Sequence, residues 1–171
     1  MRVVVDTSVA RAAGTGRADA GPPSPACVAA LDAIAAHQDL EVATSYRLKQ
    51  EWQQHARPYS WKWLSTMFSR KRVHVVQDPW PDEIALIDAA NDLPGNAHED
   101  VAKDTHLVGL AMLTDRRVVS LDVRQRSLLG HLVGAHPQIS ALHWASPAEP
   151  PTLPWLQAGA PETAALCVLR R

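Results

Sequence analysis

Residues 2–6 read Arg-Val-Val-Val-Asp, and residues 117–122 read Arg-Val-Val-Ser-Leu-Asp. In both, an apolar β-branched run too short for a helix stops at an aspartate, which predicts a buried strand with a carboxylate at its carboxyl end. Leu40–Ala43, Val73–Val76 and Ile139–Trp144 read as three further strands. Helices fill the gaps. Val28, Leu31 and Ile34 repeat at helical spacing over Cys27–Ala36, and Leu48, Trp52 and His55 share one face of a helix that Ser45 caps and Pro58 ends. Trp61, Leu64 and Phe68 mark another helical face, Ile84 and Ile87 a helix opened by prolines 79 and 81, and His98–Leu113 the longest helix; Leu128–Val133 reads as the last. Short strands alternating with helices predict an α/β fold, a three-layer sandwich with a mainly parallel central sheet flanked by helices.

The 171 residues suffice for one domain with its own core. Residues 1–145 carry the alternating pattern, and 146–171 read as a proline-rich C-terminal extension packed on the same domain. Gly14–Pro25, with three glycines and three prolines, reads as a loop. Two distant cysteines, Cys27 and Cys167, fit neither a disulfide framework nor a zinc knuckle. The amino-terminal apolar run is too short for a secretory core, and no run reaches the roughly 18 apolar residues of a membrane helix. A cytoplasmic, non-membrane protein is expected.

In open parallel sheets, ligands bind beyond the carboxyl ends of the strands, where Asp6 and Asp122 both fall. One such aspartate could simply cap the next helix; two at the same edge are harder to explain that way. On the longest helix Asp104 interrupts the apolar stripe Val101, Val108 and Ala111, so its charge needs a cation or a donor, a salt bridge from Arg116 or Arg117 being the plain structural alternative. Asp100 lies one turn earlier, as an auxiliary acid. Glu51 shares the inward face of Leu48 and Trp52. Carboxylates from four separate segments are hard oxygen ligands that suit Mg2+ or Mn2+ and, through a metal-activated water, phosphodiester hydrolysis.

VVVDTSV at 3–9, ATSYRLKQEW at 43–52, KDTHLVGLAM at 103–112 and VVSLD at 118–122 together resemble the PIN-domain ribonucleases in order, spacing and element type. The resemblance spans about the first 125 residues. It implies that Asp6, Glu51, Asp104 and Asp122 form the catalytic and metal-binding quartet of a Mg2+- or Mn2+-dependent endoribonuclease, with the Ser8 hydroxyl beside the first aspartate and 5′-phosphate products. It also implies the partners to expect: RNA, single-stranded by default with DNA as the alternative, an antitoxin or other protein partner as in toxin–antitoxin pairs, and a second copy of the chain in a homodimer. The alternative it leaves is a catalytically inactive PIN-like module that binds RNA or protein.

Other hydrolase signatures are missing. Ser8 stands where a haloacid dehalogenase phosphatase needs a second acid, and there is neither a Gly-x-Ser-x-Gly elbow nor a phosphate loop. The formal charge of −1 conceals two opposed segments: residues 45–74 hold seven Lys or Arg against Glu51, and residues 76–106 hold eight acids against Lys103. Within the basic segment, Arg47, Lys49, Arg70, Lys71 and Arg72 are the expected nucleic-acid contacts, with Tyr59, Trp61 and Trp63 interleaved as stacking candidates.

Overall fold

The computed structural model describes residues 1–14 and 24–168. Most of the loop expected over 14–25 therefore lies outside the described residues, as do residues 169–171. Five parallel strands form one sheet in the order β3-β2-β1-β4-β5: β1 (Arg2–Val5), β2 (Glu41–Ser45), β3 (Val73–Val76), β4 (Arg117–Val119) and β5 (His143–Ala145). Helices α1 (Thr7–Ala12), α2 (Pro25–Ala36), α3 (Tyr46–His55), α4 (Pro58–Ser69), α5 (Glu83–Ala89), α6 (Ala97–Met112), α7 (Val123–Leu132) and α8 (Thr152–Gln157) complete a three-layer α/β sandwich. Val3, Val4, Val5, Val118 and Val119 are fully buried, because a central parallel strand is covered on both faces.

The chain runs from β1 outward through β2 to β3, then returns to place β4 on the other side of β1. The gap between the carboxyl ends of β1 and β4 is thus the topological switch point, the natural crevice of such a sheet. Asp6 follows β1 and Asp122 follows β4 closely, so both lie at that gap.

Several local expectations shift. The second strand runs Glu41–Ser45, two residues further than its apolar run, because β3 pairs with it as far as Ser45. Helix α4 buries Trp63, Leu64 and Met67, packs Trp61 partly against the core and leaves Phe68 exposed; the Trp63 indole N–H donates to the Leu31 carbonyl of α2 at 2.7 Å. Helix α5 buries Leu86 and leaves Ile84 exposed. Pro137–Ala141 form a 3-10 turn, confining the last strand to His143–Ala145. The proline-rich tail goes deeper than its composition predicts, since α8 packs on α2 and Trp155, Leu156, Leu166 and Val168 all join the core.

Candidate acidic site at the β1–β4 edge

Asp6 ends β1 by capping α1, accepting from the Ser8 backbone N–H at 3.2 Å. Its other carboxylate oxygen accepts from two hydroxyls, Ser8 at 2.5 Å and Ser120 at 2.6 Å. Those hydroxyls are themselves oriented: Ser8 Oγ accepts from the Leu121 N–H at 3.1 Å and Ser120 Oγ from the Asp122 N–H at 3.0 Å. The loops after β1 and β4 are thereby tied together through one buried carboxylate. Asp122 in turn caps α7, accepting from the Gln125 N–H at 2.9 Å. Both strand-end aspartates therefore do cap helices, and the capping places them side by side.

Asp104 sits on the buried stripe of α6 with Val101, Val108 and Ala111, as its spacing predicts. It is only 8% exposed, and among the described residues its side chain has no hydrogen-bond or ion-pair partner. Arg117, one suggested counter-ion, donates to the backbone carbonyls of Ala160 and Asp115. Burial, and then the charges of Asp6 and Asp122, push the Asp104 carboxyl up to about 6. Asp6 and Asp122 therefore both stand close enough to Asp104 to disfavour its charge.

The other two acids are compensated. Glu51 lies 3.4 Å from the Arg47 guanidinium and 3.3 Å from His106 Nε2, and Thr7 Oγ1 donates to it at 3.5 Å. Burial raises its pKa, but the His106 imidazole and Arg47 outweigh that and hold it below the usual range. Asp100 is paired with Arg124 of α7 at 2.8 Å, which separates its role from that of Asp104.

The basic residues divide. Arg47 belongs to the site, with a further bond to the Lys103 carbonyl at 3.1 Å. Lys49, on the same helix, places its ammonium 5.7 Å from the Phe68 ring centre. Arg70, Lys71 and Arg72 precede β3, at the amino ends of the strands, on the opposite edge of the sheet from Asp6 and Asp122. They therefore stand apart from the acidic site. Arg72 is committed to structure: its guanidinium donates to the carbonyls of Ile34, Ala35, His37 and Leu40, closing the end of α2. Lys71 is held in the left-handed region at φ 56° by the turn into β3, and Arg70 donates to Ala35 at 3.2 Å. The stacking candidates likewise face inward or bond locally, Trp63 in the core and Tyr59 to Asp32.

Sequence reasoning missed Ser120, Thr7 and His106. Ser120 had a signal, a hydroxyl inside the apolar run Val118–Leu121 two residues before Asp122. His106 had none, since its place against Glu51 depends on how α3 meets α6.

The donor set suits a divalent ion. Its members are oxygens, and Asp104 is a buried carboxylate with unused lone pairs facing two other acids. Among the described residues no three His, Cys, Asp or Glu side chains are already gathered into an ion-holding group. No family model matches the chain, and no curated protein matches it significantly.

Proposed function

We propose that this chain is a metal-dependent endoribonuclease of the PIN type, hydrolysing RNA phosphodiester bonds with Mg2+ or Mn2+. The observation that carries the reading is Asp104: a buried carboxylate with no hydrogen bond or close ion pair among the described residues, set against Asp6 and Asp122 at the switch point of a parallel sheet, where the more distant charges of Lys103 and His106 do not offset its burial. Unpaired buried charge is unfavourable by several kcal/mol, roughly, so a site that keeps one is built for a cation.

Asp6, Asp104 and Asp122 would hold the ion, which when bound supplies an acidified water and neutralises charge on the phosphate. Ser8 and Ser120 fix the Asp6 carboxylate, so the ligand is oriented before RNA arrives. Glu51 stays ionised beside Arg47 and His106, and Arg47 sits where it can take a non-bridging oxygen of the RNA backbone. Attack by water at phosphorus with departure of the 3′-oxygen leaves a 5′-phosphate.

The test is cleavage of a labelled single-stranded RNA with Mg2+ or Mn2+ and after chelation, comparing wild type with Asp6→Asn and Asp122→Asn. Metal-dependent cleavage lost at least a hundredfold in both variants is expected. Cleavage that survives both substitutions or chelation sinks the proposal, and a wild type that binds RNA without cutting it establishes the non-catalytic module instead.

A further inference from the structure

Beside the acidic site, at the carboxyl ends of β2 and β3, lies a cleft of about 670 Å3 bounded by Tyr46, Val75, Trp80, Glu83, His106 and Leu110. Arg47 lines it too, so the same guanidinium that touches Glu51 borders the cleft. The volume is that of a small-ligand site, ample for one nucleotide. Its wall depends on Gly109: a Cβ there would come 3.0 Å from Trp80 Cβ, so the missing side chain lets Trp80 lie close against α6.

Three features say what the cleft takes. Tyr46 is 74% exposed, a large aromatic face left in water at the start of α3. Glu83 is half-buried and has no hydrogen-bond or ion-pair partner among the described residues, so its carboxylate offers two free acceptors. His106 is 9% exposed, and its Nε2, though near Glu51, lacks the alignment of a hydrogen bond. With Asp78 also on the rim, the Glu83 end of the cleft disfavours phosphate and suits a flat group with N–H donors, while Arg47, on the border shared with Glu51, can take the phosphate.

We propose that this cleft is a guanine subsite, in which an unpaired guanine of the RNA stacks on Tyr46 and donates its N1–H and 2-amino hydrogens to the Glu83 carboxylate. This rests on the endoribonuclease reading for its RNA substrate. Guanine is the one common base that presents two adjacent donors to a single carboxylate. Adenine and cytosine set an acceptor beside their amino group, and uracil flanks its single N–H with carbonyls. Stacking alone would accept any base, so Tyr46 supplies affinity and Glu83 supplies choice.

Calorimetric titration of the full chain with 5′-GMP, 5′-AMP, 5′-CMP and 5′-UMP tests this, alongside Tyr46→Ala and Glu83→Gln, each checked for a wild-type melting curve. GMP is expected to bind at least roughly tenfold tighter than the others, since each unsatisfied or missing hydrogen bond in a built site weighs that much. Glu83→Gln abolishes the preference, and Tyr46→Ala weakens every nucleotide by roughly tenfold. Equal binding of all four, a preference that survives Glu83→Gln, or selective capture of an arginine-containing peptide in place of nucleotides overturns the assignment. The two readings fail separately: RNA cleavage with no guanine preference removes the subsite alone, whereas GMP selectivity in a protein that cuts no RNA removes the nuclease alone.

Discussion

Asp104 is a single residue whose burial works against the stability of the fold. Its carboxyl is raised to about 6 by burial and by Asp6 and Asp122, against about 3.9 for an unfolded aspartate. Between those values the folded chain holds a proton that the unfolded chain has released, so stability falls as pH rises from about 4 through about 6 and does not return above it. Asp104→Asn removes that loss. In metal-free buffer at pH 7 the variant is expected to be more stable than wild type by about 2–3 kcal/mol, and the difference should vanish near pH 4; denaturant melts at the two pH values measure it. Equal stability at pH 7 would mean that Asp104 has a partner after all. Ser120 acts in the opposite sense, donating to Asp6 and accepting from the Asp122 N–H. Ser120→Ala should cost about 1–2 kcal/mol by leaving both groups short of a partner, read from the same melts.

At the scale of elements, helices and strands were legible where a single face carried the pattern. Helix α6 is buried along the very stripe its spacing marks, and Ser45 caps α3 through the Leu48 N–H at 3.2 Å. On helix α4, Trp61, Trp63, Leu64, Met67 and Phe68 spread over more than one face, so spacing alone does not say that Trp63 and Met67 are buried and Phe68 is not. The choice of face is made by α2, which accepts the Trp63 indole N–H, and by the Trp52 ring 6.1 Å away. The Arg70–Arg72 cluster shows the same limit: charge is visible in sequence, but the sheet edge it occupies is not. Arg72 closes α2 with four carbonyl acceptors, so Arg72→Ala should destabilise the fold by about 2–4 kcal/mol while leaving the RNA affinity of the folded protein unchanged. Thermal melts paired with binding curves separate the two. A drop in RNA affinity with unchanged stability would return Arg72 to the interface.

For the whole molecule, the strand order decides what the acids can do together. Asp6 and Asp122 are more than a hundred residues apart, and only the placement of β4 beside β1 makes them neighbours. The four acidic segments read as strand ends and inward helix faces, yet nothing in the sequence shows that Glu51 meets His106 or that Asp100 pairs with Arg124. The tail was legible as proline-rich but not as core, because a six-residue helix holding Leu153, Trp155 and Leu156 is too short to repeat a face. Leu156 is fully buried between α8 and the rest of the core, and Leu156→Ala should cost about 2–4 kcal/mol, checked by chemical denaturation. A cost near zero would mean that the tail only covers the surface.

The central claim is that the unpaired charge of Asp104 exists to hold a divalent cation with Asp6 and Asp122. Titration of Mn2+ into the wild-type protein and Asp104→Asn at pH 7.5, with free Mn2+ read by its paramagnetic resonance signal, tests it directly. Saturable uptake by wild type, weakened at least tenfold in Asp104→Asn, is the expected result. Equal uptake by the two proteins, or none by either, would contradict it.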